Sequence, residues 1–429
     1  MCRHESDTIV AQVNRLCYKA CMKSLISITI LLFCTATFAS DWPQFRGPRR
    51  DGVSDEKDWL KEWPAEGPKR LWKADVGVGP SSVSIQNGML YTMGHTAESD
   101  TVYCLNAETG AEVWKFSYAC ETFDNMHEGG PAVTPTIDGP SVYTLSRAGQ
   151  LYCFDALTGK VRWNVEFSKL HGSVPMFGYT GSPLLLGDKV IASVGGPGIS
   201  RVAFDKTTGR ILWKTGDDDA SYSSPLTIQI TGRPYVVIFN ASGLIVVDPI
   251  NGHEQSRHEW VTPSPLNSRI NAATPLVVGL NVFIASGYGK GCALLEIGER
   301  VPHKVWANES LRPQYSSPVY YNGYLYGFDS NPDGSDRQGE LKCLDFKSGE
   351  EKWARPNPAL GTLLAADGKL LILSRRGELI LAEATPVKYM ELARTQVLGG
   401  TCRAEPVLCN GRIYIRSVNG ELVCLDVRK

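Results

Sequence analysis

From residue 70 to the end of the sequence, short apolar segments alternate with polar turns. The segments are rich in Val, Ile, Leu and Tyr, as in GYLYGF and GRIYIRS, and their composition indicates β-strands. Asn-Gly, Asp-Gly and Thr-Gly pairs separate them, because glycine adopts the positive φ that a tight turn needs. The run Leu184–Leu186 has no polar member, which suits a strand covered on both faces. The pattern predicts an all-β fold.

The pattern repeats at a spacing of about 45 residues, within the range of propeller blades. Each copy closes with an apolar strand that ends on an acidic or amide residue. These residues are Asn106, Asp155, Asp205, Asp248, Glu296, Asp345, Glu383 and Asp426. An Asp-x-x-Thr-Gly sequence after such a strand indicates a tight turn, since the carboxylate accepts backbone N–H bonds.

A tryptophan follows the acidic or amide position by eight residues in four copies, at Trp114, Trp163, Trp213 and Trp353. An indole side chain that recurs once per repeat is spaced too regularly to belong to a single ligand site. A large aromatic side chain is well suited to fill the wedge between neighbouring blades. We therefore interpret these tryptophans as packing residues.

Eight copies predict an eight-bladed β-propeller of four-stranded antiparallel blades. The last copy stops at Lys429, just after its third strand, whereas Arg70–Lys73 resembles an outer strand with no third strand before it. An N-terminal outer strand that completes the last blade would close the ring and remove an exposed sheet edge. The expected propeller covers residues 70–429, and a leader at residues 40–69 precedes it.

The first 39 residues have the pattern of a secretory signal peptide. Lys23 precedes the short apolar run Leu25–Phe33, and small residues around Ala39 suit cleavage after that residue. The run is too short to span a bilayer. Residues 1–21 have two interpretations. Either the true start is Met22 and these residues are an extension of the gene model, or they form an unusually long charged region of the signal peptide. The sequence predicts export to the periplasm or the cell exterior, with no transmembrane span in the mature chain.

The charge and the cysteines narrow the class of protein further. The formal net charge is −1 and Lys and Arg form no long runs, which disfavours a nucleic-acid partner.

Eight cysteines follow residue 39, and an even number in an exported protein is compatible with disulfides. However, four of them occupy one repeat position, and equivalent positions in separate blades lie too far apart for a disulfide. These four, which we interpret as small buried hydrophobic residues, are Cys104, Cys153, Cys343 and Cys424.

The repeat, closing strands such as GELVCLD and LYCFD, and the leader sequence DWPQFRGPRRDGVS together resemble the pyrroloquinoline-quinone-like (PQQ-like) repeat propellers. The resemblance covers nearly all of the mature chain and is closest to exported bacterial propellers of the BamB type. It implies a non-catalytic binding scaffold of the bacterial cell envelope whose partner is a protein or a polysaccharide. Quinoprotein dehydrogenases share the repeat, so the alternative is a PQQ- and calcium-dependent oxidation of an alcohol or sugar. The chain lacks the adjacent cysteine pair that those enzymes often have, which counts against a bound quinone.

One face of a propeller gathers the loops that enter the inner strands and the turns between second and third strands. Polar side chains on this face predict a pocket for a carboxylate or a sugar. The candidates are Arg147, Tyr179, Tyr222, Arg269, Tyr315, Arg375, Arg403 and Glu405. The alternative is that these side chains contact only water and one another. His127 and Glu128 are the one acid–base pair that hydrolase or lyase chemistry could use.

The segment 329–340 matches the calcium-loop pattern DxNxDGx5E. Its oxygen ligands would be Asp329, Asn331, Asp333, Ser335 and Glu340, because oxygens at alternate positions can surround a hard cation. The flanking segments have the pattern of strands rather than helices, and an acidic hairpin turn has the same composition. A calcium site and an exposed turn are therefore the two interpretations.

Overall fold

Eight antiparallel sheets, each with four main strands, form the blades of a β-propeller. The computed structural model describes residues 41–64, 66–122, 128–263, 269–330, 339–356 and 360–429, and the predicted signal peptide lies outside these ranges. Within them, no helix is both long and apolar enough to cross a membrane. The prediction of an all-β, eight-bladed propeller is confirmed.

The first two strands add to blades that the C-terminal part of the chain forms. Strand β1 (Val53–Ser54) belongs to the sheet of blade VII, and β2 (Lys69–Asp75) belongs to the sheet of blade VIII. In the other blades, four consecutive strands run from the inside to the outside of the ring. Blade I contains β3 (Ser84–Gln86), β4 (Met89–Thr96), β5 (Ser99–Asn106) and β6 (Glu112–Ala119). Blade II contains β7 (Thr136–Asp138), β8 (Ser141–Leu145), β9 (Gln150–Asp155) and β10 (Val161–Glu166), followed by a 3-10 helix at Phe167–Leu170. Blade III contains β11 (Leu184–Leu186), β12 (Lys189–Ser193), β13 (Arg201–Asp205) and β14 (Ile211–Thr215).

The remaining blades have the same order. Blade IV contains β15 (Leu226–Ile230), β16 (Arg233–Phe239), β17 (Gly243–Val247) and β18 (Glu254–Glu259). Blade V contains β19 (Leu276–Val278), β20 (Asn281–Ser286), β21 (Gly291–Glu296) and β22 (His303–Asn308). Blade VI contains β23 (Val319–Tyr321), β24 (Tyr324–Ser330), β25 (Gly339–Asp345) and β26 (Glu351–Pro356). Blade VII contains β27 (Gly361–Ala366), β28 (Lys369–Ser374), β29 (Glu378–Glu383) and β30 (Glu391–Gln396), and blade VIII contains β31 (Val407–Cys409), β32 (Arg412–Arg416) and β33 (Glu421–Asp426).

Ring closure brings together β2 and β33, near the two ends of the described chain. These strands pair antiparallel, with Trp72 opposite Cys424. β2 therefore supplies the outer strand that the last repeat lacks, as the sequence predicts. The pairing covers the edge that β33 would otherwise expose to other chains.

Tryptophans connect six pairs of neighbouring blades. Each donates its indole N–H to a backbone carbonyl just after the third strand of the next blade. These bonds run from Trp72 to Ala107, Trp114 to Ala156, Trp163 to Lys206, Trp213 to Pro249, Trp306 to Phe346 and Trp353 to Thr385. Gly159, at φ +69°, belongs to the turn under Trp114, and a Cβ there would lie 2.7 Å from the indole ring. The interpretation of these tryptophans as packing residues is confirmed.

The eight cysteines that follow residue 39 are all buried and carry free thiols. The four that share a repeat position lie in third strands, where Cys104 and Cys153 have no exposed surface. Burial raises the pKa of the Cys104 thiol to about 11, so the thiol stays protonated and unreactive at neutral pH. The four therefore serve as small core residues, as predicted.

The leader crosses the axis of the ring, which the sequence does not predict. Trp42 forms a bridge with Ile85 of blade I, and the Pro43 carbonyl accepts the N–H of Ile137 in blade II. Further along, β1 pairs in parallel with β27 of blade VII. All these partners belong to inner strands, which surround the axis. A segment that reaches from blades I and II to blade VII therefore fills part of the channel.

Arg50 fixes the leader to two more blades. Its guanidinium donates to the carbonyls of Pro183 at 2.5 Å, before the inner strand of blade III, and of Pro225 at 3.1 Å, before that of blade IV. Burial lowers the pKa of Arg50 to about 9, so the side chain is still cationic at neutral pH. The carbonyl oxygens supply the hydrogen bonds that a buried cation needs.

Candidate functional site

A cavity of about 180 Å³ lies beside the leader on the face where the inner strands begin. This is the face on which the sequence places the candidate side chains. Its polar lining includes Glu128, Arg147, Tyr222, Tyr288, Gln314, Tyr315, Arg403 and Glu405. Phe45 of the leader is part of the apolar lining, together with Pro80, Phe177 and Ile270. Loops from most blades and the leader thus converge on one pocket.

A ring of hydroxyl side chains marks the start of the inner strands. Seven blades place serine or threonine there, namely Ser82, Thr134, Ser182, Ser224, Thr274, Ser317 and Thr362. The backbone N–H of Thr134 donates to Ser182 Oγ at 3.1 Å, and the N–H of Ser182 donates to Ser224 Oγ at 2.9 Å. Two further bonds of this kind continue the ring to blades V and VI. The ring links the inner strands of neighbouring blades, and its sequence signal is a Ser-Pro or Thr-Pro pair in blades II to VI.

Blade VIII departs from this ring because Glu405-Pro406 replaces the hydroxyl-proline pair. The Glu405 carboxylate accepts a bond from Arg46 Nη1 of the leader at 2.8 Å, and Arg46 has no exposed side-chain surface. Arg46 also donates to the carbonyls of Ser317 and Pro318 in blade VI. Burial raises the pKa of Glu405, and the Arg46 cation opposes that rise. Sequence reasoning found Glu405 but missed Arg46, its partner.

Two arginines at the cavity come from blades II and VIII. Arg147, in the turn between β8 and β9, donates to the carbonyls of Gly130 and Phe177, the latter at 2.7 Å. Burial lowers the pKa of Arg147 to about 10, so it is cationic at neutral pH. Arg403 lies 5.3 Å from the Tyr315 ring centroid and 3.5 Å from the Glu128 carboxylate. Sequence analysis identified both arginines and Glu128, and the structure brings them to one cavity.

Aromatic side chains form part of the wall. The rings of Phe177 and Tyr222 lie 5.7 Å apart, on loops of blades III and IV. Burial raises the pKa of Tyr222 to about 12, so its phenol is neutral and can donate a hydrogen bond. Tyr288, in the turn between β20 and β21, also lines the cavity. Sequence reasoning named Tyr222 but not Phe177 or Tyr288.

Three of the sequence candidates lie away from the cavity, and a fourth lies outside the described residues. Tyr179 lies in the core against Phe167, and its hydroxyl donates to the Val194 carbonyl at 2.6 Å, so it is directed away from the cavity. Arg269 is exposed and Arg375 is half-buried, and neither belongs to the cavity lining. His127 lies outside the described residues, so the acid–base pair with Glu128 stays a prediction.

The strand ends around the calcium-loop sequence form a hairpin in which Asp329 lies opposite Glu340. Asn331, Asp333 and Ser335 lie outside the described residues. Asp329 accepts bonds from Arg312 at 2.9 Å, and its carboxylate lies 3.0 Å from Lys342 Nζ. Two cations at this distance would repel a divalent ion. The structure therefore places Asp329 in an ion-pair cluster, and calcium binding by the rest of the loop stays a prediction.

Eight four-stranded blades, tight turns of the Asp-x-x-Thr-Gly type in several of them and six inter-blade tryptophan bonds define the class of this protein as a PQQ-like repeat propeller. A family model described as outer membrane protein assembly factor BamB matches residues 98–355, which is more than half of the chain. The chain belongs to this family.

Curated relatives include proteins of different activity. Tetrathionate hydrolase of Acidithiobacillus ferrooxidans is 25% identical over 240 residues, which cover 51% of this chain and 44% of that protein. BamB of Yersinia pestis is 22% identical over 312 residues, or 67% of this chain and 72% of that protein. Quinohemoprotein alcohol dehydrogenase ADH-IIG of Pseudomonas putida is 27% identical over 154 residues, or 33% and 20%. This chain thus matches less than half of the hydrolase and of the dehydrogenase.

Two solved structures show the same fold. BamB from Moraxella catarrhalis superposes with a TM-score of 0.61 at 17% identity, covering 84% of this chain and 99% of that chain. A europium-containing methanol dehydrogenase superposes with a TM-score of 0.66 at 12% identity, covering 90% and 89%. An outer membrane protein assembly factor and a methanol dehydrogenase share the propeller, so the fold alone does not assign a function.

Proposed function

We propose that the chain is an exported, non-catalytic binding scaffold of the bacterial cell envelope whose partner is an envelope protein. The observation that carries the proposal is the leader, which crosses the axis and reduces the interior to a cavity of about 180 Å³. Pockets for drug-sized ligands are larger, roughly 300–1,000 Å³. The outer surfaces of the blades are then the area available to a macromolecular partner. Membership of the BamB family supports this assignment.

Blade VII offers a docking surface for such a partner. Val387, Met390 and Leu392, which we call the blade VII edge patch, are 79%, 41% and 44% exposed. They lie on and just before β30, the outermost strand of the blade. Clustered apolar side chains on a surface suit a protein partner, and an outermost strand can pair with an added strand. These features favour a protein over a polysaccharide.

The exported chain, immobilised and incubated with envelope extract of its own host, should retain outer-membrane assembly proteins that mass spectrometry identifies. The double variant Val387→Lys, Leu392→Lys should lose most of that retention, because two charges prevent apolar docking. Such surface substitutions change stability by about 0.5 kcal/mol or less, so the fold is kept. The matched control is Leu157→Lys, which changes an exposed leucine of blade II and should bind as the wild type does. Equal retention by all three proteins, or no retained partner, would contradict the proposal.

A quinone-dependent dehydrogenase is the second candidate, favoured by the sequence match to the alcohol dehydrogenase. PQQ is a fused-ring quinone with several carboxylates, and the residues at the cavity do not fit it. Of the two arginines, Arg147 already bonds two backbone carbonyls and Arg403 lies beside Glu128. Across the described ranges, no group of three or more His, Cys, Asp and Glu side chains is arranged to hold a metal ion. We therefore derive no oxidation step for this chain.

A further inference from the structure

A second cavity, of about 230 Å³, lies on the other side of the leader, towards the turns that join first and second strands. We call it the lower cavity. Leader residues 44 and 48–51 form one side of it, and the inner strands β11, β15 and β19 form the other. Leu184–Leu186, Leu226 and Val277 give the strand side an apolar surface next to the exposed Thr227. The volume lies between the roughly 150 Å³ that admits one benzene ring in another protein and the roughly 300 Å³ of the smallest drug-sized pockets.

The inner strands on this side of the channel have an uncovered edge. β11, β15 and β19 are each the first strand of their sheet, and no backbone group of the described chain pairs with the edge that faces the axis. The leader covers the corresponding edges elsewhere, since Trp42 forms a bridge with Ile85 of β3 and β1 pairs with β27. Inner strands of this ring thus already pair with an extended segment inside the channel. The edge of β15 offers the same kind of pairing to a segment of another chain.

Arg50 lies at the inner end of the lower cavity. Its guanidinium reaches from the leader to the carbonyls of Pro183 and Pro225, which directly precede β11 and β15. Because the leader crosses the axis at this level, a segment that enters the lower cavity has to end there. The space is therefore suited to a chain terminus rather than to a passing loop.

The charge at this inner end favours a carboxylate. The acceptors of Arg50 are neutral oxygens, namely Gln44 Oε1 and three backbone carbonyls, and burial lowers its pKa to about 9. None of the carboxylates that the structure describes forms an ion pair with it. The neighbouring Arg49 bonds Asp51 and Asp55 at 2.9 and 2.6 Å, and Arg49 and Asp55 are exposed, so water and salt screen that group. The buried Arg50 cation is screened much less, so it attracts an anion and repels an ammonium group.

We propose that the lower cavity binds the C-terminal end of a partner protein, with two or three apolar residues. The carboxylate lies below Arg50, the backbone pairs with β15, and the side chains pack against Leu186 and Val277. A free aliphatic acid would leave the strand edge unpaired, and an N-terminus would bring a positive charge towards Arg50. The proposal goes beyond the proposed function, and either can fail without the other, because the lower cavity and the blade VII edge patch share no residue.

Fluorescence anisotropy with the chain that lacks its predicted signal peptide tests this proposal. The probe is a peptide that carries fluorescein at its N-terminus and ends in Val-Leu-Val. Its free acid should bind about tenfold more tightly than its C-terminal amide, because only the acid has a charge that Arg50 attracts. The same acid with N-methyl groups on its last two amides should bind about tenfold more weakly, since those amides cannot donate to a strand edge.

Two variants locate the binding. Thr227→Glu should weaken binding of the free acid about tenfold, because it places a second carboxylate at the wall of the lower cavity. The matched control, Thr207→Glu, changes an exposed threonine in a turn of blade III outside the channel and should bind as the wild type does. The double variant Val387→Lys, Leu392→Lys should also bind the peptide normally, which separates this test from that of the proposed function.

Four results would overturn the proposal. These are no saturable binding of the free acid, equal affinity for the acid and its amide, equal affinity for the N-methylated acid, and unchanged affinity in Thr227→Glu. Competition by 4-methylpentanoate distinguishes a chain end from a free acid. We expect no displacement at equal concentrations, and complete displacement would assign the lower cavity to a free acid instead.

Discussion

Replacing Arg46 with methionine should lower the free energy of unfolding by about 3–5 kcal/mol, the range measured when one partner of a buried ion pair is removed. The substitution leaves the Glu405 carboxylate buried without its cation and frees the carbonyls of Ser317 and Pro318. It also removes the contacts that Arg46 makes with blades VI and VIII, while Ser54 keeps its bond to the Leu408 carbonyl of blade VIII. Urea unfolding of the chain without its predicted signal peptide, followed by tryptophan fluorescence, measures the loss.

Two variants show whether the loss comes from the buried pair. Arg49→Met removes a neighbouring arginine whose side chain is 46% exposed, and it should change stability by about 0.5 kcal/mol or less. The double variant Arg46→Met, Glu405→Thr gives blade VIII the hydroxyl that the other blades have and should recover much of the loss. Equal stability of Arg46→Met and Arg49→Met would show that the leader is not held in the channel by this pair.

Replacing Trp72 with alanine should cost about 3–5 kcal/mol, as for other large aromatic residues in protein cores. Trp72 lies in the closing strand β2, is 9% exposed and donates its indole N–H to Ala107 of blade I at 3.1 Å. Its ring also covers Gly110, where a Cβ would lie 2.7 Å from the indole. The substitution thus opens the contact between blade VIII and blade I, and the midpoint of urea unfolding measures the effect.

The variant Trp72→Phe separates ring packing from the hydrogen bond. It keeps an aromatic ring but loses the bond to Ala107, so its stability should lie between those of the wild type and Trp72→Ala. Leu157→Ala, at a leucine that is 71% exposed, is the control and should be nearly neutral. If Trp72→Ala were as stable as this control, the interpretation of the tryptophans as inter-blade contacts would be wrong.

Much of the fold follows from the sequence, because the same pattern of short apolar strands and tight turns recurs in eight copies. The acidic residue, the Thr-Gly turn and the tryptophan recur together, and the structure shows that each depends on the others: Asp155 accepts two bonds from Thr158 within the turn, and Gly159 makes room for Trp114. The unpaired outer strand at Arg70–Lys73 likewise indicated closure, since a propeller without it would expose an edge.

The route of the leader could not be predicted in this way. Arginines in a Gly- and Pro-rich segment usually indicate an exposed loop, yet Arg46 and Arg50 are buried. Arg46 pairs with Glu405, which is 359 positions away, and no repeat signals a contact that occurs once. The available signal is Glu405 itself, which stands where the other seven blades have serine or threonine. It shows where a partner cation is needed but not which residue supplies it.

The site was predicted in part for a related reason. Topology identifies the face on which a loop lies, and Arg147, Tyr222, Tyr315 and Arg403 all line the cavity on that face. Loop position does not determine the direction of a side chain, so Tyr179 lies in the core instead.

We propose that the leader-filled ring binds a partner and does not catalyse a quinone-dependent oxidation. The chain without its predicted signal peptide is incubated with PQQ and calcium, and dye reduction is then measured with a panel of alcohols and sugars. A PQQ-dependent dehydrogenase is the positive control. We expect no saturable change in PQQ absorbance and no dye reduction above the protein-free rate. Stoichiometric PQQ binding with substrate-dependent dye reduction would contradict the claim.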